Sequence, residues 1–128
     1  MRHAISTDAA PAAAGPYSQA IRTGDLVFTA GQLGLDPETG EFAANDVAGQ
    51  AERALHNLAA ILAAADSGLD QLVKVTVYLA DIGDWFAVNE VYARMVPEPF
   101  PARSAFAVRD LPKGALVEIE AVASVTSG

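Results

Sequence analysis

The stretch Leu72-Val73-Lys74-Val75-Thr76-Val77-Tyr78-Leu79 decides how this sequence folds. Val73, Val75, Val77 and Leu79 alternate with Lys74, Thr76 and Tyr78, and the β-branched residues favour a pleated backbone. One face of the strand is therefore apolar and needs a cover. Upstream, Ala51, Ala54, Leu55, Leu58, Ile61, Leu62 and Ala65 recur at helical spacing. They predict a helix from about Asp46 to Ala65, capped by Asn45 or Asp46 and closed by Ser67-Gly68. The alanines on that stripe suit close packing against a sheet. Downstream, Asp81 to Asp84 make a turn and a second N-cap. A second helix follows from about Trp85 to Met95, ending before Pro97, Pro99 and Pro101.

Further outward, Ser104 to Val108 reads as a short strand and Leu111-Pro112-Lys113-Gly114 as a turn. Ala115 to Val125 is the last strand, with Val117, Ile119, Ala121 and Ala123 on one face and Glu118 and Glu120 on the other. Toward the N-terminus, residues 9–16 are small and breaker-rich, an irregular lead-in. Tyr17 to Ile21 and Leu26 to Thr29 predict a β-hairpin around Arg22-Thr23-Gly24-Asp25, with Gly31 ending its second strand. Asp36-Pro37-Glu38-Thr39-Gly40 is a turn in which Pro presets φ and Gly permits a positive one. The order is ββαβαββ, an α+β domain spanning residues 1–128 with both helices on one face of the sheet. The other face carries Leu116, Val122 and Tyr78. That much apolar surface predicts a symmetric homo-oligomer.

Composition narrows the function. The chain has 128 residues, of which 52% are apolar, enough for a core without staples. It has no cysteine, which removes disulfides, thiolate metal sites and thiol nucleophiles together. Its formal net charge is −8. So acidic a chain is repelled by phosphate backbones and by anionic lipid, so neither nucleic acid nor a membrane is an expected partner. The N-terminal residues have no signal-peptide pattern and no stretch is long and apolar enough to span a bilayer, so a cytoplasmic location is expected. His3, placed in a frayed terminus, and His56, off the helical stripe, are the only histidines. Neither has neighbours at metal-ligand spacing, and neither is placed to activate Ser18 or Ser104, so no metal is expected. There is no glycine-rich phosphate cradle, so no nucleotide cofactor is expected.

Arg103 enters a strand after the proline-rich approach Phe100-Pro101-Ala102. Its planar fork suits a carboxylate; the competing reading is an edge-strand arginine in solvent or paired with an aspartate. Glu118 and Glu120 share a face. In a partly dry cleft such a glutamate has a raised pKa and shuttles a proton near neutrality; otherwise this is a solvated face. Tyr17, held by Gly15-Pro16, is a pocket wall or an ordinary core residue. Asn89 lies in the second helix, where its position suits a structural role.

Together these segments resemble the Rid (reactive intermediate/imine deaminase, YjgF-like) family over nearly the whole chain. The resemblance is carried by Gly15-Pro16-Tyr17-Ser18-Gln19-Ala20, Gly31-Gln32, Gln50, Asn57-Leu58 and Val88-Asn89-Glu90-Val91-Tyr92. Its strongest pieces are Pro101-Ala102-Arg103-Ser104 and the run from Leu111 to Ala121. It implies a chorismate-mutase-like fold, a homotrimer with clefts between subunits, and cofactor-free hydrolysis of 2-aminoacrylate-type enamines and 2-imino acids to 2-keto acids and ammonia. By position it implies that Arg103 grips the substrate carboxylate and that Glu118, rather than Glu120, orients or activates water. Tyr17, Gly31, Asn89 and Ala105 match pocket positions. Two departures stand out. Many deaminase-type members carry serine where this chain has Ala30 and cysteine where it has Ala105, so rate and preference are expected to differ. A non-catalytic trimer that binds a small carboxylate metabolite is the alternative, and Glu118 separates the two.

Overall fold

The computed structural model describes residues 1–125. The elements run β1 (Arg2–Ile5), β2 (Ala20–Thr23), β3 (Leu26–Thr29), β4 (Gln32–Leu33), α1 (Val47–Ala64), β5 (Leu72–Leu79), α2 (Trp85–Met95), β6 (Ala102–Ala107) and β7 (Val117–Ser124). The strands form one sheet in the order β1-β2-β3-β7-β5-β6, with β4 beside β7 where β3 has left it. Only β5 and β6 run parallel, and α2 makes the crossover between them.

Both helices pack on one face, as the alternation in β5 requires. Val75, Val77 and Leu79 meet Val117, Ile119 and Ala121 of β7, Ala51, Ala54, Leu55 and Leu58 of α1, and Val88 and Val91 of α2. Each fully buried Leu or Val contributes roughly 1.5–3 kcal/mol. Ala51 and Ala54 are wholly buried, so the helix backbone lies close to the strands. A second cluster, built on Val27, Ile61, Leu62 and Ala123, closes the other end of α1. Asp46 caps that helix by accepting the Gly49 N–H at 3.1 Å. At the far end Ser67 N–H reaches Leu62 O and Asp66 N–H reaches Ala63 O, with Asp66 at φ 62. Asp66 therefore supplies the left-handed residue expected near Gly68.

Several expectations need correction. The N-terminus is not frayed: β1 pairs with β2, and His3 stands opposite Arg22. Tyr17 to Gln19 precede the strand, which begins at Ala20. The two-residue strand β4 was not foreseen, so the order is ββββαβαββ. A register shift between Leu72 and Lys74 turns Val73 outward, where it is 47% exposed, and Leu72 packs on the core instead. Leu116, expected on the open face, packs against the main core. The rest of that face is as apolar as expected. Phe28 and Phe106 remain 44% and 45% exposed there, beside Val122 and Tyr78.

Candidate functional site

Arg103 stands in β6, the edge strand, opposite Val75 of β5. Since Val75 points at the helices, so does Arg103. There α2 presents Trp85, Asn89 and Tyr92, which share a helix face by their spacing. The Arg103 guanidinium carbon lies 5.2 Å from the Trp85 ring centre and 4.8 Å from that of Tyr92. A hollow of about 400 Å³ opens here, lined by Asn89, Tyr92, Ala93, Phe100, Pro101 and Arg103. Among the described residues no carboxylate comes within ion-pair distance of Arg103. The reading of a surface arginine paired with an aspartate is thus not the one the structure shows. Tyr92 is buried, its hydroxyl has no hydrogen-bond partner among the described residues, and burial pushes its pKa up against the opposing pull of Arg103. Ala105, two residues along the same face, packs against the core and lines neither hollow.

The second hollow, about 590 Å³, lies where β3 breaks into β4. β3 pairs with Val122 to Ser124 and β4 with Glu118 and Ile119, leaving Ala30 and Gly31 at the break. The Thr29 hydroxyl bridges it by accepting the Ala121 N–H at 3.0 Å. Tyr17, Ala30, Gly31, Lys113 and Glu118 all line the space. The Glu118 side chain lies directly against Gly31. A Cβ built there would overlap the carboxylate and stand 2.8 Å from its carbon. Burial, and then the neighbouring Glu120 charge, hold the Glu118 carboxyl above the usual range. Tyr17 is 53% exposed at the rim, so it is not a core residue, and its hydroxyl accepts the Ala14 N–H at 3.1 Å. Glu120 lies outside the hollow, next to Tyr78, whose pKa rises through burial and the Glu120 carboxylate.

Three buried amides hold these walls, a role the sequence reading did not assign. The Gln19 amide donates to Thr7, Ala10 and Pro11 carbonyls, and its oxygen accepts the Thr7 N–H, tying down the loop that carries Tyr17. The Asn57 amide donates to Leu33 O and Leu35 O. Gln50 donates to Ala44 O and accepts the Leu116 N–H. The signal was present for two of them: Gln50 and Asn57 are polar residues on the apolar stripe of α1, where an amide is tolerated only when its hydrogen bonds are met.

Arg103 and Glu118 leave the sheet on opposite faces. Glu118 sits between buried Val117 and Ile119 and opposite Tyr78, away from the helices. A single chain therefore does not bring the two together. His3, on the exposed edge strand, and His56, exposed on α1, line neither hollow. Among the described residues no group of three acidic or histidine side chains could hold a metal ion.

Known proteins share this arrangement of segments. The family described as endoribonuclease L-PSP matches residues 7–125. The RutC family protein y4sK of Sinorhizobium fredii is 54% identical, over 95% of this chain and 97% of its own. The human 2-iminobutanoate/2-iminopropanoate deaminase is 47% identical, over 96% of this chain and 90% of its own. Among solved structures, E. coli TdcF with bound serine superposes with a TM-score of 0.92 at 40% identity, covering 97% of this chain and 99% of that one. The chain belongs to the endoribonuclease L-PSP family, the YjgF/RidA group of proteins.

Proposed function

We propose that this protein hydrolyses small 2-imino acids and their enamine tautomers, such as 2-aminoacrylate, 2-iminopropanoate and 2-iminobutanoate, to 2-keto acids and ammonia. The observation that carries the reading is the division of labour between the two hollows. One holds an unpaired cation suited to a carboxylate, and the other a glutamate with a raised pKa. They become one site when Arg103 and Asn89 of one subunit face Tyr17, Gly31 and Glu118 of the next. A homotrimer of the chorismate-mutase-like kind, with clefts between subunits, supplies that juxtaposition. The exposed Phe28 and Phe106 on the open sheet face give it a surface to bury.

The chemistry needs little more. Arg103 holds the substrate carboxylate through two parallel hydrogen bonds, a charge-assisted contact of about 1.5–3 kcal/mol. Protonation at Cβ turns the enamine into the imine, whose carbon is already electrophilic. Glu118 takes a proton from water as its oxygen adds to that carbon, then returns the proton to nitrogen. Glu118 then carries the adduct's hydroxyl proton to the nitrogen as the C–N bond breaks, leaving the keto acid and ammonia. Positioning and this proton relay are all the reaction asks of the protein, with no cofactor. Ala30 leaves the Glu118 hollow without a side-chain hydroxyl at that position, so backbone groups and water serve there. The place of action we propose is the cytoplasm; among the described residues no helix is long and apolar enough to cross a membrane. RNA cleavage fits poorly, because the net charge is −8 and no histidine stands in either hollow to act as a general base.

The test generates 2-iminopropanoate or 2-iminobutanoate in situ and traps it with semicarbazide. Wild type is expected to suppress trapping, and Arg103→Ala to suppress it poorly. A wild type that suppresses nothing rejects the deaminase. The serine held by TdcF favours a second reading, a trimer that binds a small carboxylate metabolite without converting it. Under that reading Glu118→Gln leaves ligand binding intact and there is no turnover to lose.

A further inference from the structure

We infer that Trp85 and Tyr92 are positioning residues that hold the Arg103 guanidinium flat and unneutralised for a carboxylate. The inference rests on the carboxylate-binding reading of Arg103 and adds how the cation is kept available.

A half-buried arginine ordinarily settles against a carboxylate. Arg103 meets two ring faces instead, with its guanidinium carbon 5.2 Å from Trp85 and 4.8 Å from Tyr92. A ring face attracts the cation through its quadrupole yet offers no acceptor to the N–H edges, so all five donors stay free for a ligand. An aspartate in the same place would hold the arginine equally well and compete with every substrate carboxylate. The rings come from one helix face, two turns apart, with Asn89 between them on the wall of the same hollow. Tyr92 is placed by this contact rather than by its polar end, since its buried hydroxyl has no partner among the described residues. Phe100 lies beside it, with ring centres 6.4 Å apart, and lines the same hollow.

The rings also explain why an arginine suits this position better than a lysine. A planar cation stacked on a ring loses its freedom to rotate its fork out of register, and a point charge on a flexible stem does not. The proposed effect is on binding of the carboxylate and not on the proton transfer, which belongs to the other hollow.

The experiment is titration calorimetry on the assembled protein with two probes of like shape, pyruvate and pyruvamide, of which only the first carries a carboxylate. Trp85→Leu and Tyr92→Leu are each expected to weaken pyruvate about five- to tenfold and to leave pyruvamide within about twofold. Trp85→Phe and Tyr92→Phe, which keep a ring face, are expected to restore pyruvate binding to within about threefold of wild type. In turnover, the leucine variants should raise KM with little change in kcat. Tyr92→Leu opens a hole in a buried position. Trp85 is only partly buried, and its leucine variant carries the test where the other fails to assemble. Leucine variants that bind pyruvate like wild type, or that weaken both probes alike, overturn the inference while leaving Arg103 as the carboxylate ligand. Phenylalanine variants as weak as the leucine ones overturn it too. A wild type that binds pyruvate no better than pyruvamide rejects the reading of Arg103 itself, and the positioning role with it.

Discussion

The hollow beside Arg103 and the hollow beside Glu118 are built in opposite ways. The first is made by regular elements, with α2 laying two aromatic rings against an edge strand. The second is made by irregular backbone at a broken strand, tied by Gln19, Gln50 and Asn57 to the elements beneath it. One keeps a cation unpaired, and the other keeps a carboxyl partly dry. The contrast teaches that the sheet acts as an insulator: it places the cation and the carboxylate of a single proposed site on faces where they cannot neutralise each other within a chain.

The largest expected effect breaks this comparison directly. Arg103→Ala and Glu118→Gln should each lose deamination, the latter by at least about 100-fold as expected for removal of a general base. Mixed by subunit exchange, they should regain it. In a cyclic trimer holding both variants, about one interface in three joins an intact Arg103 half to an intact Glu118 half. No recovery in the trapping assay, with mixed assemblies shown by native mass spectrometry, would mean that the halves do not meet across an interface.

Gly31 and Gly34 sharpen it next. A Cβ on Gly34 would stand 2.5 Å from the Gln50 carbonyl oxygen and 2.6 Å from its α-carbon, both backbone atoms of α1. Gly34→Ala should therefore cost about 1–3 kcal/mol in urea unfolding, as overpacked sites do. A Cβ on Gly31 would meet only the end of the Glu118 side chain, which can swing aside. Gly31→Ala should keep its stability within about 1 kcal/mol and lose activity about tenfold or more, because a displaced base is a poor one. Asn57→Ala should remove about 1–3 kcal/mol by leaving Leu33 and Leu35 carbonyls unpaired, with little effect on the Arg103 hollow.

The smallest effect is in pH. Glu118 must be ionised to act as a base, and burial followed by the Glu120 charge raises its pKa. The acid limb of the rate profile should lie above that of an ordinary glutamate. Glu120→Gln removes the like charge and should move the limb to lower pH, with the larger burial contribution remaining. The stability sign is opposite to the usual carboxylate. A folded pKa above the unfolded one means that the folded chain binds the proton more tightly. Stability from this group is present at acid pH and is lost as pH rises through the folded pKa. Glu118→Gln should then melt no lower than wild type at neutral pH by calorimetry, while being inactive.

Much of the frame was legible in the residues. The β5 alternation from Val75 to Leu79 appears where periodicity put it, because a buried face constrains every second residue, and α2 begins and ends where the Asp81–Asp84 turn and the prolines put its limits. The shorter elements were not. β1 and β4, of four and two residues, carry too few positions for a period to emerge. Val73 read as part of the apolar face because alternation assumes an unbroken ladder, and a register shift is invisible without its partner strand. Of the site, Arg103, Glu118, Tyr17, Gly31 and Asn89 were named from the sequence, and each lines one of the two hollows. Ala105 was named with them and lines neither. Trp85 and the amides Gln19, Gln50 and Asn57 had no assigned role, since what they do depends on segments far away in the chain.

The sequence by itself determined which surfaces are apolar, where the helices begin and stop, which chemistries are excluded for want of cysteine and basic charge, and which family the chain joins. Those properties are local or compositional, and they survive without knowing what lies across a strand. Only the tertiary structure decided that Arg103 rests against rings instead of an acid, that Glu118 lies against a glycine, and that the two point apart. Each of these is a relation between residues more than ten positions apart in the chain, set by strand register and by which face the crossover helix covers. Period-two alternation says that two faces exist, and it takes the paired strands to say which residue of one strand shares a face with which residue of another.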